Sequence, residues 1–582
     1  MIALLLLAAA AAPHPLPSAP SPAAPSPAAR LTASSVPADE IDRLIQAGRD
    51  LLDEGKPKDA QVLFEEADDK GRGTMRTRVW VLRSWIDQGR YNDAFNEADR
   101  RQRKGEEGAA LDYVYGMGSY RRALDNMAAG GGSTTQLALV DAATYLKAAV
   151  DGDPKTFDDA WTKLAHAAYL GQEASQLQLA ADAAAKGVEA RPKSHDAHYV
   201  HSLTAYWRVM DATAREDEAT KQAAVTEGIA AAERASELLP KGTDTVSKRA
   251  EYHLQVATIA LWKPDNALAA RAYASAMGAD PSQVDFSRVW SVLAAGEDGA
   301  KPFVACLEDG AKQYVGRWGD KTAGDATLLW WLGYAQIQTG AYEEADANLG
   351  LAVGKWPAYE NAYWYQFEAR YQQQDYKAAA AALGTWWERN PAGVVAMVQG
   401  NTELNVAKVF FTQGKCAEEP YAGASAAATC AEVLVGVEPA NWERWDNLGL
   451  FSRDSGDAIR QGLRREKDEV KREEALARAT AYYERSWEAY NKALELAPEQ
   501  PHLHNDAAVI LHYCLDRDFE QAIRMYERSQ ELAVARLERD DLEDFDRQRT
   551  QIAKRDSADN LRKIKKLIED RRKEAQKEGS GG

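Results

Sequence analysis

The chain has 582 residues, 27% of them charged, with a formal net charge of −18 and only four cysteines. So acidic a balance argues against a broad phosphate-binding surface, and nucleic acid is excluded as a partner class. Four cysteines cannot make a disulfide framework in this length, and alternating β-branched runs are too sparse for a sheet.

Residues 2–12 are an unbroken apolar run, and residues 13–35 are a low-complexity Pro/Ala/Ser stretch. The run is too short to cross a bilayer, and with the small residues behind it reads as a signal peptide over 1–23, although no Lys or Arg precedes it. Residues 24–38 then predict a disordered tether. The first cysteine is Cys306, so no acylation site follows the leader. The expectation is export, periplasmic or extracellular, without an integral membrane span.

From residue 39 onward helical patterning dominates, and one phrase recurs. A small residue is followed by an apolar one four on, a small one three further, and proline five later. In chain order the copies are Ala180-Ala184-Gly187-Pro192, Gly228-Ala232-Ala235-Pro240, Ala269-Tyr273-Ala276-Pro281, Ala345-Leu349-Ala352-Pro357, Ala379-Leu383-Trp386-Pro391, Ala427-Ala431-Leu434-Pro439 and Ser486-Tyr490-Ala493-Pro498. Degenerate forms appear at Ala60-Phe64-Ala67, Ala94-Ala98 and Ala522-Tyr526-Ser529. The offsets place the first three residues on one helix face, where small side chains admit a second helix. Proline then ends the unit, because it lacks the N–H and clashes with the preceding turn. Upstream lie matching first helices with a mid-helix Leu-Gly pair, Leu332-Gly333 and Leu448-Gly449. Glycine there costs about 1 kcal/mol against alanine, which predicts a closely packed partner. Turns at Gln88-Gly89-Arg90-Tyr91 and Thr339-Gly340-Ala341-Tyr342 separate the helices. The phrase lapses over 105–165 and 284–320.

This pattern resembles the tetratricopeptide repeat (TPR), a helix–turn–helix unit of roughly 34 residues. The interval from Pro357 to Pro391 equals that period. The resemblance covers about 40–535 and implies an all-α fold, a right-handed superhelical solenoid of TPR-like hairpins over 39–535. Two departures stand out. Residues 454–485, a charged stretch without the expected turn, predict an extended helix projecting from the array. Residues 536–575 predict a charged helical cap with Leu561, Ile564 and Leu567 as its apolar stripe, since an open array end would expose its core. A disordered tail, 576–582, follows.

Catalytic motifs are absent. No Gly-x-Ser-x-Gly, Walker loop or His-Glu-x-x-His occurs, and Gly130-Gly131-Gly132 lacks the lysine a phosphate loop needs. His195, His198 and His201 spread over an arc of about 120° on a helix, whereas zinc needs converging ligands. The chain therefore reads as no enzyme, with neither metal nor cofactor. Cys416 and Cys430 bracket a turn and are either bridged or buried as small apolar residues.

In the family this chain resembles, ligands lie on the face lined by first helices. Counting back from the prolines places Tyr199, Tyr206, Trp207, Trp262, Trp330, Tyr334, Trp364 and Tyr371 there, an aromatic ladder fit to bind a peptide or partner helix. The other reading of these rings is packing between neighbouring helices. The expected function is an exported, non-catalytic scaffold or adaptor that binds other proteins or peptides in the cell envelope. The alternative is a carrier or enzyme-associated subunit that holds a glycan or other non-protein ligand in the aromatic groove.

Overall fold

The computed structural model describes residues 38–580, except 243–244, 264–265, 320–324, 420 and 466. The expected signal peptide, the tether before Ala38 and the last two residues lie outside that range. The described residues form helices and turns and no strand, so the all-α expectation is met. They divide into two compact units at Val284/Asp285.

The first unit runs through α1 (Ala38–Asp53), α2 (Pro57–Lys70), α3 (Met75–Asp87), α4 (Tyr91–Gln102), α5 (Ala109–Ala128) and α6 (Ser133–Gly152), then α7 (Ala160–Gly171), α8 (Leu177–Ala190), α9 (His195–Ala214), α10 (Glu218–Leu238), α11 (Val246–Ala260) and α12 (Ala267–Ala279). Each odd helix pairs with the next even one as a hairpin, and each odd helix also touches the following odd one as far as α11. First helices therefore form one continuous face, which is the tetratricopeptide arrangement. The recurring phrase lies on the second helices, facing inward. Ala180, Ala184, Ala232, Ala235, Ala269, Tyr273 and Ala276 are all buried. The turn at Gly89 adopts φ +78°, a left-handed conformation that glycine takes without a Cβ clash. The lapse at 105–165 holds two 20-residue helices, α5 and α6, that pack on each other as a hairpin.

The second unit runs through α13 (Phe286–Leu293), α14 (Lys301–Trp318), α15 (Ala326–Thr339), α16 (Tyr342–Lys355), α17 (Glu360–Gln372), α18 (Tyr376–Arg389) and α19 (Pro391–Gly400), then α20 (Ala407–Ala417), α21 (Ala424–Val437), α22 (Trp442–Gly462), α23 (Glu469–Leu496), α24 (Pro501–Val509), α25 (Phe519–Leu537) and α26 (Asp544–Ser580). The Leu-Gly signal is explained here. A Cβ on Gly333 would lie 2.5 Å from Leu349 Cγ of the paired helix, so the helices meet where only hydrogen fits.

Two expectations are corrected. Residues 454–485 are not one projecting helix. Helix α22 continues to Gly462, a single 3-10 turn follows over Leu463–Arg465, and α23 begins at Glu469 and returns antiparallel, with Gly449 against Tyr490 and Gly456 against Tyr483. Asp468 caps the return, accepting from the Val470 and Lys471 amides at 3.1 and 3.3 Å. The segment is thus a hairpin with both arms lengthened. The cap is also longer than expected. Helix α26 runs to Ser580, through most of the predicted tail, and buries Ile564 against Ala508, Leu511, Ala522 and Tyr526, with Leu561 and Ile568 beside it.

Candidate functional site

The successive first helices α1, α3, α5, α7 and α9 enclose a groove of about 740 Å³ in the first unit. Its floor is Trp80, 2% exposed, packed on Phe64 at 6.0 Å and Tyr113 at 5.9 Å. The Arg49 guanidinium lies 4.9 Å over the Trp80 ring. Helical spacing puts Arg83 and Asp87 on one face of α3, and they pair at 3.0 Å.

Arg83 anchors a buried network. It donates to the Tyr113 hydroxyl at 2.9 Å and to Asp159 at 3.1 Å, and the Tyr113 hydroxyl donates to Asp159 at 2.9 Å. Burial opposes the Arg83 charge, but Asp87, Tyr113 and Asp159 outweigh it and raise its pKa. Burial likewise opposes the Asp159 carboxylate, and Arg83, Arg49 and Arg191 still hold it below its usual range. Arg121 approaches Asp87 at 3.4 Å. Further along, Asp196 accepts from Lys248 at 2.7 Å and sits 3.2 Å from His195. Burial opposes its charge too, yet His195, Lys163 and Lys248 depress its pKa strongly. At the rim Arg49 pairs with Asp158, and Arg191 with Asp53. The lining is thus polar and balanced in sign, with fixed donors and acceptors over a rigid aromatic floor. Such a surface suits the backbone and charged side chains of an extended peptide.

The aromatic ladder does not survive as one surface. Trp207, 8% exposed, and Trp364, 6% exposed, are core residues and cannot stack on a ligand. Trp364 packs on Phe367 at 4.9 Å, and Tyr371 on Phe367 at 6.1 Å. In the first unit Tyr199 packs tilted against Tyr252 at 4.6 Å and donates to Glu251, Trp262 lies under Lys221, and Tyr206 is half-buried. In the second unit Trp330 and Tyr334 do share a face, with rings 5.6 Å apart and nearly parallel. The ring that joins them from α17 is Tyr365, 5.0 Å from Tyr334. It stands about 100° round the helix from Trp364.

The three histidines diverge. His195 meets Tyr252 at 2.9 Å, His198 the Pro192 carbonyl at 3.0 Å, and His201 Glu227 at 2.7 Å. Among the described residues no three His, Cys, Asp or Glu side chains gather as metal ligands. Cys416 and Cys430 are free, buried thiols in one core cluster, and burial pushes the Cys416 thiol up to about 11.

Sequence reasoning missed the charged groove. The i,i+4 pair Arg83/Asp87 was legible, but Asp159 lies 76 residues from Arg83, and no local pattern joins them. Interspersed charge of this kind reads as a solvated face.

No family model and no curated protein matches the sequence. Among solved structures the chain is similar to the TPR domain of P58(IPK), with TM-score 0.19, 14% identity, and coverage of 78% of this chain and 98% of that one. It is similar to yeast Tom70 with TM-score 0.22 and 12% identity, covering 90% of this chain and 96% of that one. For the Cut9-Hcn1 hetero-tetramer of APC/C the values are 0.22 and 13%, covering 88% and 96%. The repeat character of the chain stands on its own hairpin contacts.

Proposed function

We propose that the chain is an exported, non-catalytic scaffold of the cell envelope that holds an extended segment of a partner protein in the groove of its first unit. The observation that carries this reading is the groove itself, a concave surface whose Arg, Lys and Asp side chains are fixed by one another over a buried tryptophan. A pre-ordered polar surface loses little entropy when a peptide arrives. Export is supported by the apolar run 2–12 and the Pro/Ala/Ser stretch behind it. No helix among the described residues is long and apolar enough to cross a membrane.

The test is affinity capture from envelope extracts, comparing the native chain with Arg121→Glu/Lys193→Glu, a half-buried and an exposed groove position. Partners held in the groove are lost from the variant; identical recovery removes the reading.

A second reading, a glycan carrier, is favoured by one surface of the second unit. There Trp356, 51% exposed, stacks parallel on Tyr359 at 5.3 Å, and Tyr359 adjoins Trp330. Binding to a glycan array that Trp356→Ala abolishes, with no protein captured, selects it.

A further inference from the structure

A repeat array is quasi-one-dimensional, each hairpin resting on its neighbours. The first unit departs from this at the mouth of its groove. Arg49 of α1 pairs with Asp158, 109 residues on, in the turn before α7. Asp53, the last residue of α1, pairs with Arg191, 138 residues on, in the connection between α8 and α9. Both pairs skip the two intervening hairpins and join the first to the fourth. They are partly exposed, with side-chain accessibilities of 17% and 25% for Arg49 and Asp158, and 25% and 53% for Arg191 and Asp53. The packing beneath is of another kind, since α3, α5, α7 and α9 meet helix on helix.

We propose that these two ion pairs are a clasp that closes the groove mouth and opens when a partner's charges compete for Arg49 and Arg191. The purpose of the clasp rests on the docking reading above; its geometry does not. The signs of the charges permit competition, because a carboxylate on the partner can replace Asp158 or Asp53, and a partner cation can take the released aspartates. Partial exposure makes the pairs exchangeable and sensitive to salt, whereas the Arg83–Asp159 pair below is sealed.

The test is a spin-label distance across the mouth of the full chain, between Gln46→Cys on α1 and Lys193→Cys beside Arg191. The four native cysteines are buried, and the chain without added cysteines serves as the labelling blank. The expected result is one narrow distance at low salt that lengthens and broadens in Arg191→Asp, and also in about 1 M salt, where the Debye length falls to about 3 Å. Adding Asp53→Arg to Arg191→Asp restores the narrow peak, with an unchanged circular dichroism spectrum showing that the variants fold. A distance unmoved by Arg191→Asp, or not restored by the swap, overturns the clasp. If the mouth opens as expected while no partner is captured, the clasp stands and the docking reading falls. If partners are captured while the mouth never moves, only the clasp falls.

Discussion

Arg83 and Asp159 meet at 3.1 Å with 9% and 11% of their side chains exposed, and the Tyr113 hydroxyl touches both. A buried pair of this kind contributes little net stability when intact but much instability when halved, because the surviving charge has no water to turn to. Arg83 keeps Asp87 at 3.0 Å, so Asp159→Asn is expected to destabilise the chain by about 1–3 kcal/mol, less than the loss of a sole partner would. Arg83→Met/Asp159→Leu, which removes both charges, costs less than the single change. Urea unfolding of the three proteins checks this, and a double variant worse than Asp159→Asn contradicts it.

His166 supplies a pH dependence. It lies 2.6 Å from the Tyr120 hydroxyl, and burial lowers its pKa from 6.5 to about 4, with Lys163 adding to the effect. The unfolded chain takes the proton first, so this contribution is whole above pH 6.5 and is lost as pH falls toward 4. The loss amounts to roughly 3 kcal/mol. Melting temperature against pH should flatten over that window in His166→Gln. Parallel curves for the two proteins would refute the assignment.

The lengthened hairpin α22/α23 is tested at Gly456. An added Cβ would fall 2.5 Å from the ring of Tyr483, which is fully buried and donates to Asp457 at 2.7 Å. Alanine gains about 1 kcal/mol in helix propensity, but overpacking costs about 1–3 kcal/mol. With the ring pinned at both ends, the clash prevails and Gly456→Ala lowers the melting temperature. A rise would show that the two arms do not press together there.

How much of this was legible in the sequence depended on range. Ala345, Leu349 and Ala352 lie within one helix, so their spacing exposed the buried face directly, and all three are fully buried. The break between α22 and α23 carried a signal in Gly462 and the capping Asp468, but without proline it blended into the charged run around it. Trp364 and Tyr365 differ by one residue, and small errors in helix phase exchange a core ring for a surface one. The groove lay furthest from view, because Arg49, Arg83, Asp158 and Asp159 converge only after three hairpins have stacked.

The corrected positions of the rings make their own prediction. Trp364→Ala, deep in the core, should cost about 3–5 kcal/mol, whereas Trp356→Ala, half exposed, should change stability by no more than about 0.5 kcal/mol. Thermal denaturation separates them, and equal effects would show that Trp364 is not buried in solution.

Photo-crosslinking bears most directly on the claim that the first-unit groove holds a partner protein. A photoreactive residue replaces Lys193 at the groove in one chain, and Glu233, exposed on the second helix α10, in another. The account predicts a discrete protein adduct from position 193 that is absent from position 233 and lost when Arg121→Glu is added. The same adducts from both positions, or none from 193 while capture still recovers a partner, would contradict it.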